Sequence, residues 1–143
     1  DLVRSRGLGD VYKRQVLSPK ELLVEIQIPE SSSKTGSAFL KMKRVSADLA
    51  KVSVAVAVVR DGDVCKDCRI ALGAVAKVPL RTKKGEELLR GKKVTENLIG
   101  KASNQIAQEI QPITDLRSTA WYRKEVTKVM VRDAIKLAWE RAV

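Results

Sequence analysis

The stretch KVSVAVAVV, residues 51–59, decides the fold. It is β-branched and almost wholly apolar, and far too short to cross a bilayer, so it predicts a central strand covered on both faces. Reading upstream, SAFLKMK (residues 37–43) alternates, with Phe39 and Lys41 on one face and Leu40 and Met42 on the other. Downstream, Asp61-Gly62-Asp63 predicts a turn, and residues 64–76 return as a further strand in which Gly73 marks a bulge or a close backbone approach. Further upstream, Leu22 to Ile28 alternates and stops at Pro29, predicting a half-buried strand closed by a residue with no N–H to donate. ESSSKTG, residues 30–36, is a loop of turn-forming residues.

After Pro79 the apolar period changes from that of a strand to that of a helix. Thr82 is placed to cap a short helix holding Glu86, Glu87, Leu88 and Leu89, ended by Gly91. Thr95 caps a second helix whose Leu98, Ile99, Ala102, Ile106 and Ile110 form one stripe before Pro112. Ser118 is the expected cap of a third and longest helix, with Val126, Met130, Ala134, Leu137 and Ala138 on one side. Strands first and helices afterwards predict an α+β domain: an antiparallel sheet of three to four strands followed by three helices packed on one face.

A chain of 143 residues with 44% apolar residues supports one packed core, and with 3% aromatics that core is aliphatic. There is no His, which removes Ser-His-Asp and Cys-His catalysis, imidazole proton shuttling and His-containing metal sites. The formal net charge of +11 raises the chance of an anionic partner without identifying one. Residues 1–15 show no apolar periodicity. Their DVYKRQ, Asp10 to Gln15, is one reading frame of a transposon end used to fragment DNA for sequencing, so the segment is read as an adapter scar, with a disordered basic arm as the alternative. The scar reading makes residues 16–143 the domain proper and the chain a C-terminal fragment.

Candidate chemistry is sparse. Cys65 and Cys68 form a CxxC, but two thiols without His do not complete a zinc site or hold a [2Fe–2S] cluster unaided. Three apart on a regular strand, they are expected on opposite faces as two reduced thiols. No Gly-rich phosphate loop is present. Lys83-Lys84 and Lys92-Lys93 flank the short helix without aromatics for base stacking, so they read as solvated surface. Trp121 and Trp139 read as core or interface anchors, and Asp115 with Arg117, and Tyr122 with Arg123, as a local polar network at the start of the last helix. Lys41, Lys43, Arg44 and Asp48 concentrate charge beside the central strand, where composition alone favours solvation.

Three blocks carry a family resemblance: GSAFLKMKRVSADLAKVSVAVAV (residues 36–58), VCKDCRIALGAVAKVPLR (64–81) and PITDLRSTAWYRKEVTKVMVRDAI (112–135). In this order they resemble the C-terminal domain of the FAD-binding medium subunit of molybdenum hydroxylases, the carbon monoxide dehydrogenase and xanthine dehydrogenase family. LSPKELLVEIQIP, residues 17–29, resembles the strand that leads into that domain. The resemblance implies FAD held mainly by an upstream domain, with the molybdenum cofactor in a large partner subunit and [2Fe–2S] clusters in a small one. It implies a cytoplasmic electron-transfer complex, with no membrane or nucleic acid as partner and no catalysis by the fragment alone. Lys41 is carried over as a flavin-proximal cation and Asp48 as the acidic position of the adjoining loop, the two cofactor-binding candidates. A cation near the ring favours added negative charge and a carboxylate opposes it. Asp115, Arg117, Thr119, Tyr122 and Arg123 match the family's stretch in part and are expected at domain packing or interfaces. The alternatives are a basic nucleic-acid-binding module and a purely structural interaction domain.

Overall fold

The computed structural model describes residues 17–28, 30 and 34–142, so the expected scar or arm at residues 1–15, and Pro29, lie outside the described residues. Strand β1 (Thr35–Met42) pairs antiparallel with β2 (Val52–Asp61) from Thr35↔Val59 to Met42↔Val52. Strand β2 pairs antiparallel with β3 (Val64–Gly73) through the turn at Gly62, whose φ is +56°. Two short edge strands then share the far side of β3: β4 (Leu80–Arg81) beside Ala71 and Leu72, and β5 (Lys92–Lys93) beside Val64 and Cys65. Helix α1 (Lys83–Leu89) bridges the gap between them.

That gap would leave backbone groups of β3 without ladder partners, and α1 supplies replacements. Ile70 N–H donates to Glu86 Oε1 at 2.8 Å, and Ile70 O accepts from Thr82 N–H at 3.1 Å. Glu86 is buried and held by a two-pronged Arg81 guanidinium at 2.8 and 3.0 Å. A buried carboxylate is tolerable only when paired and hydrogen-bonded in this way. Thr82 sits at the N-cap as expected, but its hydroxyl bonds Ile70 O rather than capping the helix.

Helix α2 (Glu96–Glu109) is capped by Thr95, whose side chain accepts from Leu98 N–H at 3.2 Å. Its Ile99, Ala102 and Ile106 are buried, as the stripe predicts. Helix α3 (Ala120–Arg141) is capped by Thr119 rather than Ser118, because Thr119 presents its hydroxyl to Tyr122 N–H at 3.2 Å. Ser118 belongs instead to a bridge with Asp115. The helices cover one face of the sheet, where Val52, Val54, Val56, Val58, Ile70 and Leu72 meet Met130, Val131, Ala134, Ile135 and Ala138. The α+β class is therefore as the sequence predicts, with β4 and β5 added.

Three expectations need correction. The central strand is covered on one face only: Phe39 on the outer face is 63% exposed, and Ala55 and Ala71 beside it are open. Residues 22–28 form no strand, and Leu22, Val24, Ile26 and Ile28 are 73–86% exposed. Their alternation is genuine, but the described sheet offers them no ladder. Finally, Cys65 and Cys68 do not face opposite ways. The register slips by one between Val59 and Arg60, so Lys66 is an extra residue in β3, and both cysteines turn inward at 1% and 0% exposure. Gly73 marks a close approach and not the bulge, since a Cβ there would meet Ser53 Oγ at 2.5 Å.

Candidate functional site

The loop of residues 43–51, between β1 and β2, is organised mostly by itself. Arg44 Nε bonds Asp48 Oδ2 at 2.7 Å, Lys43 Nζ bonds Ser46 O at 2.6 Å, and Asp48 N–H donates to Val45 O at 3.0 Å. Asp48 Oδ1 also accepts from Leu49 N–H at 2.8 Å. The hydrogen bond from Arg44 holds the Asp48 carboxyl below the usual carboxylate range. With these contacts closed inward, the loop turns Val45 and Leu49 outward, 65% and 62% exposed.

At the foot of the loop stands Lys51, whose N–H donates to Met42 O at 2.8 Å and whose carbonyl accepts from Arg123 Nη1 at 2.6 Å. Its ammonium lies 5.4 Å from the centre of the Tyr122 ring. Arg123 is itself buried, and also donates to Ala74 O at 2.9 Å and to Asp115 Oδ1 at 2.8 Å. Burial opposes ionisation of Asp115, but the N–H groups of Arg117 and Ser118 and the Arg123 guanidinium together hold its carboxyl below the usual range. One guanidinium thus joins the β1–β2 loop, the turn after β3 and the α2–α3 connection at one end of the sheet. Around that end Ile113, Leu116 and Trp121 are exposed.

Of the two sequence-predicted cofactor residues, Lys41 lies exposed on the outer face of β1 opposite Ser53. Among the described residues its ammonium makes no hydrogen bond or ion pair. Asp48 is engaged with Arg44 in the loop that follows, so the two share one end of the sheet but no contact joins them. The polar network at the start of α3 forms with other pairings than expected: Asp115 takes Arg123 at 2.8 Å, with the Arg117 guanidinium further off at 3.8 Å, and Tyr122 turns to Lys51. Trp139 stacks beneath Arg60 at 4.6 Å, and Trp121 is 72% exposed. Lys92, Lys93 and Lys101 line a shallow hollow without an aromatic ring. The buried Cys68 thiol is pushed up by its hydrogen bond with Cys65 and then by burial, and no group of three or more metal-ligating side chains occurs among the described residues. Nor is any described helix long and apolar enough to cross a membrane.

Sequence reasoning missed Arg123 as the central tie, although a signal was present. Positions 123, 127, 130, 134 and 138 fall on one helical stripe, and an Arg on a stripe that is otherwise buried must find partners.

The CO dehydrogenase flavoprotein C-terminal domain model matches residues 37–138, and the chain belongs to that family. It is 34% identical over 126 residues to the carbon monoxide dehydrogenase medium chain of Hydrogenophaga pseudoflava, covering 88% of this chain and 44% of that one. The glyceraldehyde dehydrogenase medium chain of Sulfolobus acidocaldarius is 32% identical over 116 residues, covering 81% and 41%. The solved carbon monoxide dehydrogenase from Hydrogenophaga pseudoflava lacking the Mo-pyranopterin moiety superposes with a TM-score of 0.89 at 33% identity, over 92% of this chain and 46% of that one. The chain therefore spans less than half the length of these relatives.

Proposed function

We propose that this chain is the C-terminal domain of the FAD-binding subunit of a cytoplasmic molybdenum hydroxylase, and that its loop 43–51 faces the flavin. When bound, FAD passes electrons from iron–sulfur clusters to an external acceptor. The partners are an upstream FAD-binding domain, a large subunit with the molybdenum cofactor and a small one with [2Fe–2S] clusters. The observation that supports this most is the superposition on a carbon monoxide dehydrogenase chain over 92% of this chain.

The residues present suit one end of the cofactor. Exposed Val45 and Leu49 offer an apolar wall for a planar ring, and Lys41 offers a cation that no described carboxylate neutralises. Asp48 contributes less negative field than its position suggests, because Arg44 sits on it at 2.7 Å. No glycine-rich turn among the described residues could hold a pyrophosphate, so that part falls to the upstream domain. The chain's own work is to wall the ring, set its electrostatics and present an interface.

The test uses the complete flavin-loaded subunit. Lys41→Ala is expected to lower the flavin reduction potential or change its reoxidation rate, with Asp48→Asn moving the potential the opposite way. Unchanged potential and rate in both variants would remove the assigned roles.

A further inference from the structure

Loop 43–51 has a self-contained body and an externally held foot. The hydrogen bonds of residues 43–50 close within the segment: Arg44 to Asp48, Lys43 to Ser46 O, Asp48 N–H to Val45 O. Such a loop keeps its internal shape while remaining free to swing about its stem. What sets its direction is Lys51, held through its N–H by Met42, through its carbonyl by Arg123 and through its ammonium by the Tyr122 ring. Arg123 and Tyr122 are neighbours in the first turn of α3, which Thr119 caps.

Ala74 supplies a second line of argument. Its φ is +62°, a conformation that costs a side-chain-bearing residue energy and persists where the surroundings over-determine it. The same Nη1 that holds Lys51 O holds Ala74 O, at 2.9 Å, and Asp115 fixes the other arm of the fork at 2.8 Å. With the guanidinium buried, these bonds work in a low-dielectric setting and leave little slack. Only a planar fork reaches all three acceptors at once; an ammonium does not.

We infer that the first turn of α3, through Arg123 with Tyr122, is a positioning clamp that aims the flavin-facing loop 43–51. The inference rests on the reading that this loop faces the flavin. Arg123 is buried, and it acts through Lys51. An event that shifts α3 or the α2–α3 connection is thereby transmitted to the flavin side of the domain.

The experiment compares Arg123→Lys, Tyr122→Leu and Leu49→Ala in the complete flavin-loaded subunit, by amide hydrogen exchange and by flavin reduction potential. For Arg123→Lys the Lys51 amide is expected to exchange at least about tenfold faster, with Val54 and Val56 in the same sheet unchanged. The potential should shift with it, and Tyr122→Leu should show the same pair of effects more weakly, which serves if Arg123→Lys fails to fold. Unchanged exchange at Lys51 in both clamp variants overturns the clamp. Faster exchange with an unmoved potential, while Leu49→Ala moves it, overturns the claim that the clamp tunes the flavin. If Leu49→Ala is silent as well, the flavin-facing reading of the loop itself fails, and the inference falls with it for that separate reason.

Discussion

Asp115 shows how much one carboxylate controls at the residue scale. It accepts from Arg117 N–H, Ser118 N–H and the buried Arg123 guanidinium, and its pKa is depressed in consequence. A depressed carboxyl contributes stability that is present above its ordinary value near 4 and lost as pH falls through the lower folded value. The domain should therefore lose stability below about pH 4, and Asp115→Asn should be less stable at neutral pH but show a shallower acid loss. Urea midpoints of both proteins at pH 7 and pH 3 check this; parallel losses would contradict it. At this scale the sequence showed which residues carry charge, since Lys41, Asp48, Asp115 and Arg123 could all be named from it. It did not show who pairs with whom. Lys51 and Arg123 are 72 positions apart, a separation no local pattern encodes.

Among elements, α3 seats closely on β1 at Gly36. A methyl group at Gly36 would run into the Ala138 carbonyl and the Ala142 nitrogen of α3, backbone atoms that cannot rotate away. Gly36→Ala is expected to cost about 1–3 kcal/mol, read as a lower denaturant midpoint with unchanged slope. An equal midpoint would mean that α3 can shift freely on the sheet. The long strands and all three helices were legible because periodicity and caps run over many residues there. Strands β4 and β5, two residues each, carry no period to detect. The bulge at Lys66 was hidden for a related reason: a single inserted residue is visible only against its partner strand. The alternation at residues 22–28 predicts a half-buried strand that the structure does not form, because a pattern states a capacity to pair and not the presence of a partner.

The molecule as a whole is a sheet packed on one side. Its inner face is the core; its outer face is an open hollow of about 580 Å³ with Phe39, Ala55, Ala57 and Ala71 between Arg69 and Arg141. Apolar residues therefore divide into those that stabilise the fold and those that do not, and sequence alone ranks them alike. Ile70→Ala should cost about 2–5 kcal/mol because its site is closed on all sides. Replacing Val24 and Ile26 together by Ser should change stability by no more than about 0.5 kcal/mol, since both side chains already stand in water. Thermal and urea unfolding of the two variants separate these outcomes, and a comparable loss in both would place residues 22–28 in the core. The inward pair of cysteines carries a practical corollary. With both sulfurs sealed beneath the helices, a thiol-reactive dye has nothing to attack until the interior is exposed, so its labelling rate becomes a clock for spontaneous opening that needs no engineered cysteine.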